Sequence, residues 1–246
     1  MTGVRLRALL TALIGLAVVA ASACLDRPAG RPDRGRAPGA TSVSVRASDG
    51  VTLNGRLWTR DPRRIVIYLH EYRDNQTTWW PAAEQGATAD PSALTLDFRG
   101  HGTSEGDPDD VGGVARDADA AIAFAREHGY DRAVIVGSGM GATAGIIAAS
   151  NQPRVAVLAL SAPSEFADLR ADQAIGGLAS RIALMASEGD LSARESIAEF
   201  RKRATIPASR VVVLKGIDHG EALLTGDQAP DGMSAFRRLL AELWAS

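Results

Sequence analysis

The chain has 246 residues, 27 Lys or Arg against 29 Asp or Glu, a formal net charge of −2 and one cysteine. That balance argues against a nucleic-acid surface, which needs a strongly basic face. A single cysteine excludes a disulfide within the chain.

Arg5 and Arg7 precede an uncharged apolar segment from Ala8 to Ala23, which ends in Ala21-Ser22-Ala23-Cys24. The segment is short for a spanning helix and suits the apolar core of a secretory signal. Its end resembles a bacterial lipobox, in which the cysteine accepts lipid and becomes the first residue of the mature protein. Residues 1–23 are therefore expected to be a lipoprotein signal peptide. Cys24 is the expected membrane anchor, with the protein held outside the cytoplasm. An ordinary secretory signal with an incidental cysteine is the alternative. Residues 24–40 hold Pro28, Pro32 and Pro38, glycines and four arginines without apolar periodicity, the composition of a flexible tether.

Residues 41–246 are long enough for one α/β domain and keep 21 basic against 27 acidic residues. Thr41–Ala47 and Val51–Thr59 flank Ser48-Asp49-Gly50, a hairpin signal. Ile65–Leu69 reads as a buried strand, Thr78–Gly86 as a helix and Ala93–Asp97 as a strand. Asp110–His128 has a helical pattern, with Ala118, Ile122 and Ala125 on one face and Gly129 at its end. A strand from Val134 and a helix to about Ser150 follow, then the apolar strand Val155–Leu160. Phe166–Ser180 is loose and alanine-rich. Arg181–Ala186 is a strand, Ala193–Ala204 a helix, Arg210–Leu214 a strand and Gly232–Trp244 a closing helix. This alternation predicts a mostly parallel sheet covered on both faces, with its site at the carboxyl ends of the strands.

The turn after Val134-Ile135-Val136 carries the central feature. Gly137, Gly139 and Gly141 alternate, as they would where a strand reverses sharply into a helix and any Cβ nearby would collide. That is the geometry of a nucleophile elbow, G-x-S-x-G. With Gly137 and Gly141 as flanks, the apex is Gly139, not a serine. Ser138 lies one place early; centring the turn there puts Val136 and Met140 where small residues are required. Ser138 remains the displaced candidate nucleophile.

The other strand ends read Leu69-His70-Glu71-Tyr72-Arg73-Asp74, Asp97-Phe98-Arg99-Gly100-His101-Gly102-Thr103-Ser104, Ser161-Ala162-Pro163, Ser187-Glu188-Gly189-Asp190 and Gly216-Ile217-Asp218-His219-Gly220. In these motifs the chain resembles the α/β-hydrolase fold superfamily over residues 41–246. The D-x-R-G-H-G-x-S stretch resembles that family's turn closely. The order elbow, Asp190, His219 matches its order of nucleophile, acid and histidine. The resemblance implies a three-layer sandwich with an N-terminal antiparallel hairpin and, from the short Ser164–Ser180 segment, a minimal lid.

Asp190 can fix the tautomer of His219 and stabilise its charged form, with Glu188 and Asp218 as weaker partners. A surface-loop histidine and a turn-forming aspartate are the plainer readings of the same two residues. Oxyanion donors would be the Met140 N–H and one from Glu71 or Tyr72. Support of their loop is otherwise the role expected of His70 and Glu71. Asp97, Arg99, His101 and Ser104 are expected to build a turn, with Arg99 binding carbonyls or Asp97. No spacing suggests a metal site, and no dinucleotide fingerprint implies a cofactor.

Three functions compete: a degenerate hydrolase that binds a small-molecule or acyl ligand or a partner; an active hydrolase of esters or other acyl compounds using Ser138 or a His219-activated water; and Asp190–His219 base chemistry without a covalent intermediate. Losing a covalent nucleophile typically costs on the order of a millionfold in rate. The glycine apex therefore favours the first.

Overall fold

The computed structural model describes residues 37–85, 90–178 and 180–246. The expected signal peptide, Cys24 and residues 24–36 of the tether lie outside the described residues. The hairpin is β1 (Thr41–Arg46) and β2 (Thr52–Trp58), antiparallel, with Thr41 opposite Leu57. Then come β3 (Arg64–Leu69), α1 (Trp80–Glu84), β4 (Ser92–Leu96), α2 (Val114–Glu127), β5 (Arg132–Ser138), α3 (Gly139–Ala149) and β6 (Val155–Leu160). A two-residue hairpin, β7 (Glu165–Phe166) and β8 (Leu169–Arg170), leads to α4 (Ala171–Ala174). The chain closes with β9 (Ile182–Ser187), α5 (Leu191–Arg203), β10 (Val211–Leu214), α6 (Ala222–Thr225) and α7 (Ala229–Trp244).

The main sheet has eight strands in the order β1-β2-β4-β3-β5-β6-β9-β10. Only the pairings of β2, with β1 and β4, are antiparallel; the other six strands run parallel. Each central strand is apolar on both faces, because helices cover both. In β3, Ile65, Ile67 and Leu69 pack toward α2, α3 and α5, while Val66 and Tyr68 pack toward Trp79, Trp80 and α7. This three-layer sandwich is the α/β-hydrolase architecture, and the segment between β6 and β9 is as short as expected.

Several elements differ from the sequence reading, among them the segment expected to be loose, which holds β7, β8 and α4, and α2, which starts at Val114 after a 3-10 turn. The helix expected over 78–86 is a 3-10 turn, Gln76–Trp79, followed by five residues of α1, since Pro81 suits only a helix start. The closing helix begins three residues early, with Pro230 in its first turn. The short α6, four residues long and just after the 217–220 turn, carries too little periodicity to be read from sequence.

Candidate active site

β5 ends at Ser138, and the chain turns at Gly139 with φ +46°, a left-handed conformation that L side chains rarely adopt. A Cβ on Gly137 would stand 2.6 Å from the Ala142 backbone, and one on Gly141 2.5 Å from the Leu69 and His70 carbonyl oxygens. Both flanks must be glycine for β3, β5 and α3 to approach this closely. Ser138 shares the strand face of Val134 and Val136 and is fully buried. Its Cβ lies 3.3 Å from where a Gly220 Cβ would stand, and its Oγ sits beside the Glu221 carboxyl without a well-formed hydrogen bond. It is not bonded to His219.

The space above Gly139 is filled from another loop. A Cβ built on Gly139 would lie only 2.3 Å from Glu71 Oε1. That same oxygen is 2.9 Å from His219 Nε2, and His219 Nδ1 is 2.7 Å from Asp190 Oδ2. The imidazole therefore bridges two carboxylates. Asp190 is fixed at both oxygens, because Oδ1 accepts from the Ala193 N–H at 3.1 Å and caps α5. Ser161, itself at φ +49°, holds the histidine loop by accepting the Gly220 N–H at 3.0 Å. Ser161 was visible in the sequence only as a strand-end residue.

The hydrogen bond and charge of Glu71, helped by Asp190, push the His219 pKa up to about 9 against partial desolvation. At neutral pH the ring is an imidazolium with both nitrogens donating. A serine triad needs the opposite state, a neutral imidazole whose Nε2 accepts the nucleophile's proton. First-turn N–H groups of α3, Met140 among them, have no intrahelical acceptor and face this end of the sheet.

The β3 loop explains how Glu71 reaches so far. His70 is fully buried and kept neutral, its pKa pushed down to about 3 chiefly by desolvation. Its Nδ1 pairs with the Glu71 carbonyl at 2.7 Å, and its Nε2 accepts the Phe98 N–H at 3.0 Å. The Asp74 N–H also donates to the Glu71 carbonyl, at 3.2 Å. With its main chain pinned, Glu71 turns its side chain toward Gly139. The main-chain bonds of Glu71 fit the expected loop support; the sequence reading did not anticipate that its carboxylate also reaches Gly139 and His219. Tyr72 packs its ring between His101 and Phe166. Asp74 and Glu221 lie close by, with carboxyl pKa values raised first by desolvation and then by neighbouring carboxylates.

The 97–104 turn is held by its own bonds. Asp97 accepts the Gln76 N–H at 2.8 Å and the Thr103 N–H at 2.9 Å, and Ser104 Oγ donates to the Asp97 carbonyl at 2.6 Å. Arg99 binds neither Asp97 nor carbonyls; it pairs with Asp117, Asp49 and Asp110. These partners lie 18, 50 and 11 residues away, beyond any local motif. Glu188 is exposed, and Asp218 Oδ2 accepts the Gln228 N–H at 3.3 Å; neither is bonded to His219.

No curated protein sequence matches the chain. Among solved structures it is similar to an esterase of Pyrococcus furiosus, 18% identical, covering 81% of this chain and 91% of that one with a TM-score of 0.66. It is also similar to an α/β hydrolase of Novosphingobium aromaticivorans, 18% identical over 85% of this chain and 100% of that one, TM-score 0.65. A putative aryl esterase of Burkholderia cenocepacia is 15% identical over 82% and 99%, TM-score 0.64. These likenesses establish the fold. Residues 60–205 match the family model described as serine aminopeptidase, S33, a span that includes Glu71, Gly139 and Asp190 and stops before His219. On that match and this architecture, the chain belongs to the serine aminopeptidase S33 family of α/β hydrolases.

Proposed function

We propose that the protein is a lipid-anchored, extracytoplasmic member of this family that has lost serine-type hydrolysis and uses the cleft above Gly139 to bind a small-molecule or acyl ligand. One observation carries the reading: Glu71 Oε1 occupies the place a nucleophile side chain would take, 2.9 Å from His219 Nε2. A family member without its serine has lost the atom that forms the acyl intermediate. A histidine held as imidazolium has also lost the lone pair that would activate Ser138 or a water. The buried position of Ser138 speaks against it as a displaced nucleophile. Membrane attachment draws support from the Ala21-Ser22-Ala23-Cys24 sequence alone.

The alternative is an active hydrolase, favoured by the Asp190–His219 bond and by esterases among the structural relatives. It requires Glu71 to leave His219 when substrate enters. Fluorophosphonate labelling and short-chain ester turnover separate the two. On the proposed reading wild type does not label, and its ester turnover equals that of His219→Ala. Labelling abolished by Ser138→Ala, or turnover lost in His219→Ala, supports the active hydrolase. Radiolabelled lipid carried by wild type and absent from Cys24→Ala tests the anchor.

A further inference from the structure

The six parallel strands all begin on the edge of the sheet opposite the site, and five of them have an arginine at, or directly before, their first residue. Arg64 and Arg132 are the first residues of β3 and β5 and stand side by side in register. Arg154, Arg181 and Arg210 directly precede β6, β9 and β10. These five strands are neighbours in the sheet, so at ~4.8 Å per strand the row is about 20 Å long. Some of its charge is used internally: Arg64 pairs with Asp61, Arg210 with Glu242, and Arg181 bonds to carbonyls of Gln152 and Val155. Arg154, and Arg63 next to Arg64, are exposed, and their guanidinium groups have no partner among the described residues. Arg132, Arg154 and Arg181 also border one cavity of about 350 Å³.

The opposite edge has the other sign. The β1–β2 turn and the loops that follow parallel strands (47–51, 70–79, 97–113, 161–170, 188–190 and 215–228) hold fifteen carboxylates and four Lys or Arg. A molecule with little net charge is thus strongly polarised along its strands.

The chain outside the described residues joins the arginine edge. β1 pairs antiparallel with β2, which pairs antiparallel with β4, so β1 runs with the parallel strands and Thr41 starts at their beginning. Trp58 Nε1 donates to the Pro38 carbonyl at 3.0 Å and fastens residues 37–40 there. Ala37, the first described residue, is thus at this edge, and the sequence just before it holds Arg27, Arg31, Arg34 and Arg36 against Asp26 and Asp33.

We propose that the arginine edge is a docking face for an anionic phospholipid bilayer, which leaves the cleft above Gly139 facing away from the membrane. The inference rests on the anchoring reading for proximity to lipid and on charge for orientation. Lys and Arg near an anionic surface are attracted within a Debye length. The acidic edge is repelled by the same surface, so both ends favour one pose. A short tether from the arginine edge brings that edge, not the site, to the lipid.

The test uses the full chain on vesicles of phosphatidylcholine alone or with phosphatidylglycerol, read by amide hydrogen exchange. The expected result is protection of 128–131 and 150–154 on anionic vesicles only, lost at high salt, with 97–113 unchanged. Arg63→Glu with Arg154→Glu, two exposed positions without partners, should abolish that protection and weaken binding to anionic vesicles by about tenfold or more. Equal protection on neutral vesicles, protection of the acidic loops instead, or an unaffected double variant would overturn the proposal. Sedimentation with neutral vesicles reports the anchor alone, so loss of anchoring and loss of the docking face are distinguishable.

Discussion

Two ion clusters stand at the same edge of the sheet and are built from the same chemistry, yet they do different work. Around Arg99, three carboxylates surround a guanidinium that is 2% exposed, and Asp117 is fully buried. Around His219, two carboxylates hold an imidazolium that is 46% exposed. Burial decides the difference. A buried charge cannot lose its partner without a large penalty, so the Arg99 cluster is a fixed brace for the 97–104 turn. A half-exposed one can be re-solvated, so the proposed ligand binding requires only that the Glu71–His219 contact be exchanged. The motif with more charge and a closer family likeness is thus structural, and the site rests on a carboxylate that no motif singled out.

The largest effect should come from the buried cluster. Arg99→Ala strands Asp117 without its counter-ion and should lower stability by about 3–5 kcal/mol in urea unfolding. A loss under about 1 kcal/mol would remove the distinction between the clusters. The exposed cluster should instead respond in chemistry. Gly139→Ser alone sets a new side chain against Glu71, whereas Gly139→Ser with Glu71→Ala clears the space and returns His219 toward a neutral base. The double variant should label with fluorophosphonate at least about tenfold faster than the single one, a barrier difference of ~1.4 kcal/mol. Equal rates would mean Glu71 does not occupy the nucleophile's place.

The two histidine loops sharpen the contrast through pH. His70 is kept neutral in the fold at about 3 while the unfolded chain titrates near 6.5, so the unfolded state binds more protons. Its contribution is complete above about pH 6.5 and is lost as pH falls toward 3. His219 does the reverse: with a folded value of about 9, its contribution is complete below the unfolded value of about 6.5 and is lost as pH rises through 9. The stability gap between wild type and His70→Asn should therefore change on the acid limb, and the gap between wild type and His219→Ala should close on the alkaline limb. Changes of both gaps on the same limb would contradict the assignment. The smallest effect is His219→Ala at pH 7, which should cost clearly less stability than Arg99→Ala because solvent screens a half-exposed ion pair. A loss as large as that of Arg99→Ala would make this cluster a brace as well.

Much of the framework was legible because local pattern carried it. Ser48-Asp49-Gly50 marked the hairpin, the apolar runs marked β3, β5 and β6, and the spacing of Gly137, Gly139 and Gly141 placed the turn and its apex. The pairing of Asp190 with His219 rested on chain order and resemblance, and the structure brings the two within 2.7 Å. What was missed depends on contacts across the fold. Periodicity says nothing of where the Glu71 side chain points, since its course is set by His70 and by an absent Cβ at position 139. The partners of Arg99 come from the hairpin turn and α2. Ser161 supports Gly220 from 59 residues away.

The titration of His219 by NMR, in wild type and in Glu71→Gln, tests the central claim most directly. The account predicts an imidazole midpoint near 9 in wild type that falls toward 6.5 when the Glu71 charge is removed. A wild-type midpoint already near 6.5, or one unmoved in Glu71→Gln, would show that Glu71 does not hold His219 and that the site is open to ordinary base catalysis.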